Sequence, residues 1–144
     1  LMKARWANAS FVQIIRSATE PYESQSAGKF AIQGPDIKIA SAAVIAFAMT
    51  LNELCTNTTK FGALSVPSGR VDIAWHINEE SKRLIFTWIE SGGPVVYAPI
   101  RRSFGTRLIG SLGQQLKGEV QLTYSPAGFA YALDVPMSSL IPSE

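Results

Sequence analysis

The chain is poor in the side chains on which most covalent and metal chemistry depends. Its 144 residues include one cysteine, Cys55, and one histidine, His76. A single thiol permits no intramolecular disulfide and makes a reducing cytoplasm the natural compartment. Too few thiols and imidazoles are present for a zinc-type site or a Cys–His nucleophile. Charge is also scarce, at 17% of residues with a net +2, which argues against nucleic acid as a partner. The longest apolar run, from Ile39 to Leu51, is interrupted by Ser41 and Thr50 and is too short to span a bilayer. No basic, apolar, small-residue leader opens the sequence. The start at Leu1 rather than Met suggests a piece of a longer protein.

What is present is material for a core. With 47% hydrophobic residues, the chain reads as one globular domain over 1–144, its core running from about 6 to 136. Asn8 is placed to cap a first helix reaching about Thr19, with Phe11, Val12, Ile15 and Ala18 on its apolar side and Pro21 closing it. Phe30 to Gln33 reads as a short strand before a turn at Gly34, Pro35 and Asp36. Ile37 and Ile39 suit a second short strand or the approach to the next helix. Ser41 is placed to cap a long helix that packs Val44, Phe47, Ala48, Leu51 and Leu54 inward and stops at Gly62.

Val71, Ile73, Trp75 and Ile77 alternate with polar or small residues, the pattern of a half-buried strand. A polar turn at Glu79 to Lys82 returns the chain through Leu84 to Ile89 as a hairpin. From Ser91 to Arg102 periodicity is lost and a long loop is expected. Helical spacing resumes over Thr106 to Leu116, and a second hairpin follows around Ser125 to Gly128. Hairpins separated by helices imply an α/β (α+β) two-layer sandwich, a mixed, mainly antiparallel sheet covered on one face by helices. His76 falls on the polar side of its strand, and Cys55 on the buried side of the long helix.

Three clusters interrupt this pattern. Glu53, Asn57 and Lys60 stand at i, i+4 and i+7, so they share one face of the long helix. Such a stripe is ordinarily a solvated helix face, but a carboxylate, a neutral oxygen donor and an ammonium also suit a base, a magnesium ligand and a phosphate clamp. The second cluster is Trp88-Ile89-Glu90-Ser91-Gly92-Gly93-Pro94, a carboxylate at a strand end followed by glycines. That carboxylate can accept the amino hydrogens of adenine, whereas guanine offers no donor there, and glycines let backbone approach a flat base. The third is Arg101-Arg102-Ser103-Phe104-Gly105-Thr106-Arg107-Leu108, where free amide groups at a helix start suit a phosphate and the arginines add charge.

In this order the clusters resemble the catalytic and ATP-binding domain of bacterial sensor histidine kinases, of the superfamily that includes gyrase, Hsp90 and MutL. More narrowly they resemble the HWE family, named for a histidine and a W-x-E motif, here Trp88-Ile89-Glu90. The segment from Glu53 to Ser65 is similar to the family's N box, Glu90 to Pro94 to its first glycine box, and Ser103 to Ile109 to its second. The sequence departs from the pattern at Asn52, where a histidine is usual, and at Ser103, where a glycine is usual.

The resemblance implies the Bergerat-type (GHKL) ATP-binding fold, with ATP and Mg²⁺ as cofactors. Glu53 would be the general base, Asn57 the Mg²⁺ ligand and Lys60 a phosphate contact, while Glu90 would read adenine. Phe61, Gly92, Gly93, Arg102, Phe104, Gly105, Thr106 and Leu108 would complete the nucleotide site, and the Ser91–Arg102 loop would be its lid. The implied partners are the protein's own dimerisation and phosphoacceptor domain, which this chain lacks, and a response regulator, with no membrane contact by the domain itself. A gyrase- or Hsp90-like ATPase and a degenerate, non-catalytic interaction module are the alternatives.

Overall fold

A computed structural model describes residues 9–23, 28–96 and 104–141, with the backbone alone for 104–109. In chain order the elements are β1 (Ala9–Ser10), α1 (Phe11–Glu23), β2 (Phe30–Gln33), β3 (Lys38–Ile39), α2 (Ser41–Lys60), β4 (Arg70–Asn78), β5 (Arg83–Ser91), α3 (Phe104–Gln115), β6 (Glu119–Ser125) and β7 (Gly128–Pro136). Short 3₁₀ turns lie at Ala63–Ser65 and Met137–Ser139.

Five strands form one sheet in the order β2-β4-β5-β7-β6, and β1 pairs with β3 separately. β2 runs parallel to β4, with Phe30 opposite Val71, whereas the other neighbours are antiparallel. A parallel pair requires a crossover, and α2 lies in the connection that supplies it. The architecture is the expected mixed, mainly antiparallel sheet with helices on one face.

Alternation decides which face is covered. Val71, Ile73 and Trp75 on β4 are buried, as are Leu84, Phe86 and Trp88 on β5 and Tyr131, Leu133 and Val135 on β7. The intervening Asp72, Ala74 and His76 are exposed, so His76 is the surface residue its register implied. Against this face α2 presents Ala43, Ala46, Phe47, Thr50, Leu51, Leu54, Cys55 and Thr58, an unbroken i, i+3, i+4 series. Phe11 of α1 joins the layers, edge-on to Phe47 at 4.9 Å and to Trp75 at 5.1 Å between ring centroids. The Trp75 indole N–H donates to the Pro35 carbonyl at 2.7 Å, tying the turn after β2 to the sheet.

Several local expectations are corrected. Ser10 caps α1, its hydroxyl accepting from the Gln13 amide at 3.1 Å, while Asn8 lies outside the described residues. Pro21 sits inside α1, which runs on to Glu23. Ser41 is the first helical residue of α2, not its cap. The cap position is Ala40, without a side-chain bond, and its N–H donates to the Leu140 carbonyl at 2.7 Å. That bond anchors Ala40 to the segment after β7. Ala48 faces outward, into a groove between α1 and α2, because the helix face that meets the sheet is filled by Phe47 and Leu51. Ile39 enters a strand, not the helix. α3 starts at Phe104, two residues ahead of expectation. Among the described residues no helix is long and apolar enough to cross a membrane.

The start of α1 carries a titratable clamp. The Ser10 hydroxyl donates to the Asp36 carboxylate at 2.8 Å, and the Val12 amide donates to it at 3.2 Å. These bonds, the Ser10 hydroxyl foremost, hold the Asp36 carboxyl below its ordinary value of 3.8. A folded value below the unfolded one means the contribution is present above that ordinary value and is lost as pH falls through the folded value. Asp36→Ala is therefore expected to cost about 0.5–2 kcal/mol at pH 7, the magnitude of a lost helix cap. Its deficit should shrink as the pH is lowered through 3.8 and below, as chemical denaturation at each pH would show.

Candidate functional site

The site is assembled where α2 ends and β5 ends. α2 ends at Lys60: the Phe61 amide makes a last i→i−4 bond to the Asn57 carbonyl at 2.9 Å, and the Gly62 amide reaches back to the same carbonyl at 3.0 Å. The chain then makes a 3₁₀ turn. The Thr58 hydroxyl accepts from the Leu64 amide at 3.3 Å, and the Ser65 hydroxyl donates to the Gly62 carbonyl at 2.6 Å. This turn lies over the end of β5, with the Ala63 amide donating to Glu90 Oε1 at 3.0 Å. Farther along, the Ser68 hydroxyl donates to the Gly92 carbonyl at 2.5 Å. The first two clusters, 27 residues apart at this contact, thus form one structure.

Glu90 is the most constrained polar side chain in it. Only 5% of the residue is exposed, and burial of a carboxylate requires compensating donors. Two are present: the Ala63 amide on Oε1, and the Trp88 indole N–H, which donates to Oε2 at 2.9 Å. Each carboxylate oxygen has more than one acceptor position, so one bond per oxygen leaves capacity for a ligand. Nearby Cys55 is buried, and its thiol is pushed up to about 12, first by burial and then by the charge of Glu90. It is an inert packing residue, as its place in the helix pattern indicated.

The glycines fit this close packing. A Cβ on Gly62 would stand 2.4 Å from Glu90 Oε1 and 2.9 Å from the Thr58 backbone. On Gly93 it would meet the Ala63 backbone at 2.5 Å. On Gly92, whose φ of +73° also favours glycine, it would meet the Ser68 carbonyl at 2.3 Å. The absent side chains of Gly92 and Gly93 thus make room for the 63–69 segment of the chain itself.

The helix stripe stands beside this junction. Glu53 and Asn57 are half-buried and Lys60 is exposed, all within an arc of roughly 60° on a helix of ordinary pitch. Among the described residues none of the three side chains has a hydrogen-bond partner, so their polar atoms are available to a ligand. Phe61 is 76% exposed just past the helix end. Gly105 is the second residue of α3, within the turn whose amides lack intrahelical partners. Phe104, Thr106 and Leu108 lie in that helix, with only their backbone described. Arg101, Arg102 and Ser103 fall outside the described residues, as does the second half of the expected lid. A groove of about 490 Å³ between α1 and α2 is not lined by Glu53, Asn57, Lys60 or Glu90.

Two contacts to Glu90 were not read from the sequence, although Trp88 itself was named in the W-x-E motif. Ala63 acts through its backbone, which leaves no mark on residue type. Trp88 shares a strand face with Glu90 by its i, i+2 spacing, a signal that was legible.

No protein-family model matches the sequence. The chain is 34% identical over 141 residues to the blue-light-activated histidine kinase of Brucella ovis, covering 96% of this chain and 29% of that protein. It therefore spans less than a third of the relative's length. The fold matches the histidine kinase domain of the Erythrobacter litoralis EL346 blue-light-activated histidine kinase, with a TM-score of 0.71 and 19% identity over 88% of this chain and 60% of that one. It also matches the ATP-binding domain of PrrB from Mycobacterium tuberculosis, with a TM-score of 0.61 and 16% identity over 90% and 96% of the two chains.

Gly62→Ala tests the junction directly. The added methyl must displace the Glu90 carboxylate or the end of α2, an overpacking cost of about 1–3 kcal/mol. Denaturant unfolding is expected to register that loss.

Proposed function

We propose that the chain, a homologue of one segment of the Brucella enzyme, is the segment of a histidine kinase that binds ATP and donates its γ-phosphoryl group. The accepting group is a histidine on a dimerisation domain elsewhere in the protein, from which a response-regulator aspartate is later charged. Within that family the Trp88-Ile89-Glu90 motif assigns it to the HWE type, working in the cytoplasm. The observation that carries the reading is the Ala63–Glu90 hydrogen bond. It joins an acceptor suited to a base edge to the helix whose polar stripe suits phosphates.

Phosphoryl transfer asks a protein mostly for positioning and charge neutralisation. Glu90 accepts from the adenine amino group at the buried end of the site. Gly92, Gly93 and Phe61 border the base, and Lys60 contacts the phosphates together with Arg102 and the first turn of α3, from Phe104 and Gly105 through Thr106 to Leu108. The Asn57 amide is a neutral oxygen donor without a side-chain partner among the described residues, which fits a magnesium ion that takes few protein ligands and several phosphate or water oxygens. That ion, when bound, supplies neutralisation of phosphate charge. An imidazole nitrogen of the acceptor bonds to the γ-phosphorus as the bond to the bridging oxygen breaks and ADP departs. Glu53 accepts from the imidazole's other N–H, drawing off its proton as charge develops. Neither the ATPase reading nor the non-catalytic module has an observation in its favour.

Calorimetric titration with a non-hydrolysable ATP analogue, with and without Mg²⁺, is the primary test. Asn57→Ala is expected to remove the magnesium dependence of binding; a variant that keeps it would strip Asn57 of its role. Glu53→Gln should hold nucleotide affinity within about twofold while slowing transfer to a supplied acceptor domain by ~10²–10⁴-fold, the usual weight of a general base. Transfer at the native rate would remove Glu53 from the mechanism.

A further inference from the structure

We propose that Trp88 is a positioning residue that sets nucleotide selectivity by holding the Glu90 carboxylate in one orientation. This deepens the proposed ATP site and rests on it. Trp88 is fully buried, and its indole N–H donates to Glu90 Oε2 at 2.9 Å. Its ring packs edge-on to Phe30 at 6.1 Å between centroids, so the donor itself is immobilised by the core. The second oxygen is held independently by the Ala63 amide.

The consequence follows from the donor count. A carboxylate bonded at one oxygen only can turn about its terminal torsion, which is a soft one. Held at both oxygens by N–H donors, it cannot turn away without breaking a buried bond. Its remaining lone pairs then accept only. A base that presents an amino group is accepted, while one that presents a carbonyl oxygen at the same place meets two acceptors face to face. Selectivity against guanine thus comes from an enforced mismatch as well as from the bond to adenine. Glu90 alone supplies the acceptor; Trp88 removes its freedom to adapt.

The spacing explains how one strand does this. Trp88 and Glu90 lie two residues apart on the same face of β5, separated by about 6.6 Å along the strand. A long indole and a long carboxylate can span that distance toward each other.

The test is a double-mutant cycle read as affinity for Mg-ATP and Mg-GTP. Trp88→Phe keeps an aromatic ring and deletes the N–H. It is expected to lower the ATP-over-GTP preference about tenfold, the weight of one hydrogen bond to a charged acceptor. In a Glu90→Ala background the same change should leave that preference unaltered. If the native protein shows no ATP binding, the site assignment itself fails, and this inference with it. If the native protein prefers ATP, Glu90→Ala abolishes the preference and Trp88→Phe keeps it, the site stands and the role of Trp88 is overturned. Equal losses from Trp88→Phe in both backgrounds would also overturn it, by showing a packing effect alone. Should Trp88→Phe not fold, replacing the indole with benzothiophene at residue 88 removes the N–H without changing shape, and the same outcomes apply.

Discussion

A buried carboxylate at the end of β5 governs the arrangement of the site. Taking Glu90 out of water is costly unless donors replace the lost hydration. The chain meets that demand from two directions, the Trp88 indole on the same strand and the Ala63 amide after α2. The second donor constrains the backbone. The turn after α2 must fold over β5, Gly62 must carry no side chain there, and Gly93 must leave room for Ala63. The end of the helix that carries Glu53, Asn57 and Lys60 is thereby fixed relative to the sheet.

That junction is supported from the other side by α2 itself. It lies in the connection between the parallel pair β2 and β4 and meets the sheet through Phe47, Leu51 and Leu54, each 1% exposed. One helix face is committed to the core, so its polar residues have only the opposite side and the edges on which to stand. The Phe11 ring, packed against both Phe47 and Trp75, carries the same rigidity to α1. A site that depends on placing a carboxylate, an amide and an ammonium along one line gains from such a support.

Much of this was legible in the residues. The alternation from Val71 to Ile77 and the i, i+3, i+4 series of α2 are local patterns, and the structure follows them to within a residue or two. The stripe at Glu53, Asn57 and Lys60 and the acid at Glu90 were likewise visible as polar exceptions in apolar surroundings. Where the reading missed, a distant contact outweighed a local preference. Ser41 is a good cap by type, yet Ala40 holds that position because its amide bonds Leu140. Pro21 is a helix breaker by type, yet α1 continues past it, with Tyr22 packed against the core. Ala48 suits a buried face by hydropathy, yet the larger Phe47 and Leu51 occupy the surface that meets the sheet.

Periodicity and residue type within short windows are enough to mark the three main helices, the two hairpins, the two-layer class and the chemical character of the three clusters; the two-residue strand at Ala9–Ser10 carries no such pattern. That Glu90 meets Ala63, that Trp88 shares in holding it, and that Gly92 and Gly93 accommodate the chain's own backbone follow from tertiary packing. Those facts rest on backbone amides and on contacts between residues far apart in the chain. Neither leaves a periodic trace, since an amide is the same group in almost every residue and its partner is chosen by the packing of the layers.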